Sequence, residues 1–156
     1  MAANFNFGAC EFGSRVYGSE RPGNAEELNK SAAISPAAVE EWATFMKAQG
    51  ITRVLCLLND EELGFYQEPG YVEGLKKAGF DANKISCVNV FTAGAGDKTE
   101  AALAENKASG EKLLVHCSGG EGRTGLVLAQ VFVFNRFITK VLQGWDVIQS
   151  SSMQNI

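Results

Sequence analysis

Lys112-Leu113-Leu114-Val115-His116-Cys117-Ser118-Gly119-Gly120-Glu121-Gly122-Arg123-Thr124-Gly125 is the stretch whose reading decides the fold. Its first five residues make a short apolar run of buried-strand length, and from Leu126 onward Leu, Val, Ala and Phe dominate a run long enough for a helix. Residues 117–123 are therefore a strand-to-helix turn. Such a turn aims successive backbone N–H groups into one concavity and adds the positive end of a helix dipole, so it cradles anions. Glycines at 119, 120 and 122 let the chain curl around a tetrahedral oxyanion. Arg123 adds a planar fork that holds two oxygens at once.

Cys117 sits at the floor of that cradle, where N–H dipoles, a helix N-terminus and a guanidinium all favour negative charge. Its thiolate is expected to form below the reference pKa of about 8.5. A thiolate beneath a bound phosphate is placed for in-line attack on phosphorus, giving a phosphocysteine that water then hydrolyses. The Thr124 hydroxyl is placed to donate to that sulfur, and His116 is expected to orient the loop rather than touch substrate.

The stretch resembles the HCxxGxxR(S/T)G signature of the cysteine-dependent protein tyrosine phosphatase superfamily at every specified position. The resemblance implies Cys117 as nucleophile, Arg123 as phosphate and transition-state clamp, and Ser118, Gly119, Gly120, Glu121 and Gly122 as the backbone cradle. A weaker likeness to compact dual-specificity-like phosphatases extends over residues 15–138, through Val16-Tyr17-Gly18-Ser19-Glu20-Arg21-Pro22-Gly23 and Arg53-Val54-Leu55-Cys56-Leu57-Leu58. The extra recognition loop of phosphotyrosine-only enzymes is not found, which favours a shallow, less selective pocket. Rhodanese-like loops also place a cysteine before a helix, but lack the His-Cys start and the Arg-Thr-Gly end.

Around this centre the chain alternates strands and helices in the manner of an α/β domain. Ser35-Pro36 with Val39, Trp42, Ala43, Phe45 and Met46, ending at Gly50, reads as a capped amphipathic helix. Strands are predicted at 52–58, 85–91 and 112–116, and helices at 60–66, 71–78, 99–108 and from 124. The expected fold is a mainly parallel, four- to five-stranded central sheet flanked by helices, with the cysteine loop between the last strand and the long helix. Loops 59–64 and 92–98 are expected to open on the same sheet edge as that loop. The last helix is expected to be a core helix, because its longest charge-free run, residues 124–135, falls short of the roughly 18 residues that a bilayer needs.

Composition agrees with one domain over residues 1–156: 46% of the residues are hydrophobic and 21% charged, enough apolar content for a proper core. A net charge of −4 without clustered Lys or Arg argues against nucleic acid or an anionic membrane as partner. Cysteines at 10, 56, 87 and 117 lack CxxC spacing and there is one histidine, so neither a metal nor another cofactor is expected. With no secretory apolar segment at the start, these cysteines point to a reducing compartment, the cytoplasm. The expected partner is a phosphorylated protein or a small phosphomonoester.

The proton donor is the weak point of the resemblance. Family members place an aspartate on the loop after the preceding strand, yet residues 82–96 contain neither Asp nor Glu. Thr92 falls at the expected position, and Asp97 falls at the cap of the next helix. Three readings stay open: Asp97 is a displaced acid, Asp60 substitutes for it, or none exists and the domain is a catalytically impaired phosphate-binding module. Glu121 in the cradle would repel highly charged polyanions unless it points to solvent. Cys56 could form a protective disulfide with Cys117 or be a small core residue, and Arg21-Pro22-Gly23 could line the rim or be a turn. The C-terminal helices are read as shortened, with 141–149 folding back over the long helix or leaving it exposed.

Overall fold

The computed structural model describes residues 4–11, 14–24 and 33–134. Five strands, β1 (Gly8–Ala9), β2 (Val16–Ser19), β3 (Arg53–Cys56), β4 (Ile85–Cys87) and β5 (Leu113–His116), form one sheet in the order β1-β2-β5-β3-β4. All neighbours pair in parallel except β1, which adds antiparallel at the edge. The helices are α1 (Pro36–Ala48), α2 (Asp60–Leu63), α3 (Tyr71–Lys77), α4 (Ala95–Ser109) and α5, helical over the described residues 122–134.

β5 enters last and slots between β2 and β3, and the connections that leave β2 and β5 lead to helices on opposite faces of the sheet, α1 and α5. The register of β5 aligns Ser19 with His116 and Cys56 with His116. Three strands thus end level, and Glu20, Leu57 and Cys117 leave the sheet along one edge. In a parallel sheet that edge, at the point where strand order reverses, forms a crevice.

Alternation along the buried strands divides the core in two. Val54, Cys56, Leu58 and Leu114 pack with Trp42, Met46 and Leu75 of α1 and α3. Leu55, Leu57, Leu113, Val115 and Cys117 face Ala95 and Ala102 of α4 and Val127 of α5. Trp42 is fully buried, and its indole N–H donates to the Glu20 carbonyl at 2.9 Å, anchoring the exit of β2 to α1.

Several boundaries move from those expected. β4 ends at Cys87 because it is an edge strand whose chain turns at Asn89, where the carbonyl accepts from the Thr92 hydroxyl at 2.7 Å. α4 starts at Ala95, because Gly94 turns left-handed (φ 75°) and Ala95, Thr99, Ala102 and Asn106 make one buried face. Small residues that read as a loop are what let this helix lie close on the sheet. α5 is less of a core helix than expected: Thr124 and Val127 are buried, while Leu126, Val133 and Phe134 stay exposed. The fold-back over 141–149 lies outside the described residues.

The cysteine loop meets β2 backbone to backbone at Gly120. This residue has φ 78°, and a Cβ there would lie 2.6 Å from the Ser19 carbonyl carbon and 2.7 Å from the Glu20 nitrogen. Gly120→Ala is therefore expected to cost about 1–3 kcal/mol or more from backbone strain alone. Gly119→Ala, with open space at its Cβ position, should stay within about 0.5 kcal/mol. Urea unfolding of the two variants checks this, and equal midpoints would contradict it.

Candidate active site

Cys117 leaves β5 at the level edge with only 3% of its surface exposed. Burial opposes its thiolate, but the Thr124 hydroxyl and N–H, the Gly120 N–H and the Arg123 charge outweigh it and hold the thiol below its ordinary pKa. Thr124 is fully buried, and the partner of its hydroxyl is the Cys117 sulfur. The loop is tied from outside: the Ser118 carbonyl accepts from the Arg21 N–H at 3.0 Å, and the Gly119 carbonyl from the Asn6 side-chain amide at 3.0 Å.

Arg123 carries five N–H donors, and three are spoken for. Nη1 donates to the Leu57 carbonyl at 2.8 Å and to Glu62 Oε2 at 2.6 Å, while Nη2 donates to Glu62 Oε1 at 2.6 Å. The end of the fork is thus occupied by a bidentate carboxylate. Its side edge, Nε–H with the second Nη2 hydrogen, takes no partner among the described residues, and that pair has the geometry for two oxygens of a tetrahedral anion. Phe91, 74% exposed, stands with its ring centroid 6.0 Å from the guanidinium carbon.

His116 is fully buried between Trp42, at 5.3 Å between ring centroids, and Tyr71. Its Nδ1 faces the Cys117 carbonyl at 3.2 Å, which can only accept, so Nδ1 carries the proton and Nε2 accepts from the Tyr71 hydroxyl at 2.5 Å. Burial holds His116 at a pKa of about 4 and keeps Tyr71 protonated well above its ordinary range.

Several other expected site residues are exposed. Glu121 is exposed. Asp97 does not cap α4, since Gly94 does; it lies one turn in, on the face away from Ala95, Thr99 and Ala102, and is exposed. Asp60 is exposed at the start of α2, and Thr92 is exposed in the turn after Asn89. The Cys56–Cys117 disulfide is excluded by strand parity: Cys56 lies in register with His116, on the α1 side of the sheet, whereas Cys117 faces the α4 side. The Cys56 thiol instead hydrogen-bonds Cys87, its neighbour on β4. Arg21 is fully buried beneath the loop, not on a rim, with its guanidinium over the Phe65 ring at 5.4 Å.

A family model described as "PTP-SAK: Swiss Army Knife protein, DSP-PTPase phosphatase domain" matches residues 29–156. The chain belongs to this DSP-PTPase domain family. Among solved structures it is similar to kinase associated phosphatase with its catalytic-site cysteine replaced by serine, at TM-score 0.59 and 18% identity over 76% of this chain and 65% of that one. It is also similar to Tk-PTP in the active form, at TM-score 0.49 and 24% identity over 80% of this chain and 70% of that one. The first likeness supports the α/β phosphatase fold, and the chain spans just under two thirds of that relative's length. No curated protein matches the sequence.

Two residues of this DSP-PTPase domain escaped sequence reasoning. Glu62 was signalled only as a helix start: Asn59 accepts from the Glu62 N–H at 2.8 Å and Glu62 accepts from the Asn59 N–H at 2.9 Å, a capping box. The box fixes the carboxylate that grips Arg123. Burial raises the Glu62 pKa, but Arg123 and the Asn59 N–H override it and hold the carboxyl below its usual range. Tyr71 carried no signal, because its partner His116 is 45 residues away.

Glu62→Gln is expected to keep the fold but let the Arg123 fork swing, and misplacement of about 1 Å costs on the order of 10²-fold in kcat/KM. Unchanged kcat/KM on an aryl phosphate would contradict a positioning role. His116 gives a separate stability signature. The unfolded histidine binds a proton near its ordinary 6.5 and the native one only near about 4, so stability is full above about 6.5 and declines as pH falls toward 4. The expected slope is about 1.4 kcal/mol per pH unit. Urea midpoints from pH 7 to 5 test it; because the chain has one histidine, a flat profile would contradict it.

Proposed function

We propose that this domain hydrolyses phosphomonoesters on proteins, at phosphotyrosine and at phosphoserine or phosphothreonine, through a covalent phosphocysteine. The observation that carries this reading is the pairing of Cys117, a buried thiol held below its ordinary pKa, with the open side edge of Arg123 above an N–H-lined loop. Membership of the DSP-PTPase family supports it.

In this scheme the phosphate oxygens sit on the N–H groups of residues 118–122 and on the Arg123 edge. The Cys117 thiolate attacks phosphorus opposite the ester oxygen; the P–O bond breaks, and the leaving oxygen departs with its electron pair and takes a proton from water. Water then attacks the phosphocysteine, releasing inorganic phosphate and restoring the thiolate, which the Thr124 hydroxyl stabilises as it departs. His116, neutral and pinned by Tyr71, holds the start of the loop and carries no proton in the cycle. Glu121 is exposed, so the repulsion of highly charged polyanions expected from a carboxylate turned into the cradle does not apply.

Hydrolysis of 4-nitrophenyl phosphate is expected, with a rate that climbs as the thiolate forms below the ordinary thiol pKa of about 8.5. Cys117→Ser should abolish it; residual turnover above background would reject Cys117 as nucleophile. With Asp97 outside the proton path, Asp97→Asn should leave the ratio of phenyl to nitrophenyl phosphate rates unchanged. A selective loss on phenyl phosphate would make Asp97 the acid.

A further inference from the structure

We propose that Phe91 is a specificity-determining residue of this site, and that it selects aryl over alkyl phosphates: phosphotyrosine over phosphoserine and phosphothreonine. The inference rests on the phosphatase reading and narrows it.

Phe91 is a large apolar ring left 74% exposed, apart in the chain from the exposed Leu126, Val133 and Phe134 of α5. It is held there. Asn89 accepts from the Phe91 N–H through its side chain at 3.1 Å, and its carbonyl accepts from the Thr92 N–H at 3.1 Å and from the Thr92 hydroxyl at 2.7 Å. This turn presents the ring beside Arg123, centroid 6.0 Å from the guanidinium carbon. In-line attack by Cys117 sends the ester oxygen outward from the sulfur, past the arginine, so the leaving group emerges at that ring. Arg123 lies over one face of the ring; a cation–ring contact at an exposed site is weak, so a flat aryl group can displace it or stack on the other face.

The chemistry of the same loop points the same way. Residues 88–94 read Val-Asn-Val-Phe-Thr-Ala-Gly and contain no titratable side chain. The loop that carries Phe91 thus brings an aromatic ring towards the site and no acidic side chain. Without a donor the oxygen departs as an anion, which is feasible for a tyrosine phenol of pKa about 10. An aliphatic hydroxyl, about as weak an acid as water at 15.7, departs far less readily. Missing acid catalysis costs on the order of 10²–10⁴-fold, and that cost falls on the alkyl esters.

The test uses one peptide sequence carrying phosphotyrosine, phosphoserine or phosphothreonine, with 4-nitrophenyl phosphate as reference and inorganic phosphate as competitive inhibitor. Wild type should favour phosphotyrosine by about 10²-fold or more in kcat/KM. Phe91→Ala should raise KM for the phosphotyrosine peptide about tenfold, the upper end of what one aromatic pair contributes. The inhibition constant of inorganic phosphate should stay put, and Phe91→Tyr should restore KM. Comparable rates on the three peptides, or a phosphate inhibition constant that rises in step with KM, would overturn the proposal while leaving the phosphatase reading intact. No turnover of 4-nitrophenyl phosphate by wild type would instead overturn that reading, and the proposal with it.

Discussion

The ion pair between Arg123 and Glu62 is the interaction on which the site depends. It joins the start of α5 to the short helix after β3, with side chains only 20% and 15% exposed. Pairs this buried give back much of their Coulomb energy as desolvation cost, so stability is a poor explanation for it. Geometry is a better one. Two 2.6 Å contacts on the end of the fork and a third to the Leu57 carbonyl leave the guanidinium one edge to offer and one orientation in which to offer it.

That pair exists because of the sheet. β3 and β5 are neighbours whose register brings Cys56 level with His116, so Leu57 and Cys117 leave the sheet together. Glu62 then needs only the turn of α2, held by its reciprocal bonds with Asn59, to reach the arginine. On the far side the same cysteine loop rests on the β2 exit at Gly120, and β2 is in turn pinned to α1 through Trp42. Cys117 is thus supported by rigid elements on both flanks.

What was legible in the sequence follows from how local each signal is. The strand, the cysteine loop and the arginine could be read because they lie within one consecutive stretch, residues 112–125. The parallel sheet could be read because strands and helices alternate. Glu62 was read only as part of the short helix 60–66 and not as a ligand of Arg123, since that contact depends on a strand pairing sixty residues away. The two readings of Cys56 stayed open for a related reason: strand parity selects the core one only once its register with His116 is known. The start of α4 was missed because Ala-Gly-Ala-Gly has weak helix propensity, and burial of Ala95, Thr99, Ala102 and Asn106 against the sheet overrides it.

The central claim is that Cys117, beneath Arg123, takes the phosphoryl group onto its sulfur. Acid quenching of the protein during turnover of 4-nitrophenyl phosphate, followed by peptide mass analysis, tests it most directly. A phosphoryl adduct on the peptide carrying Cys117, absent from Cys117→Ser and from unreacted protein, is the predicted result. Steady turnover with no adduct there, or an adduct on another residue, would contradict it.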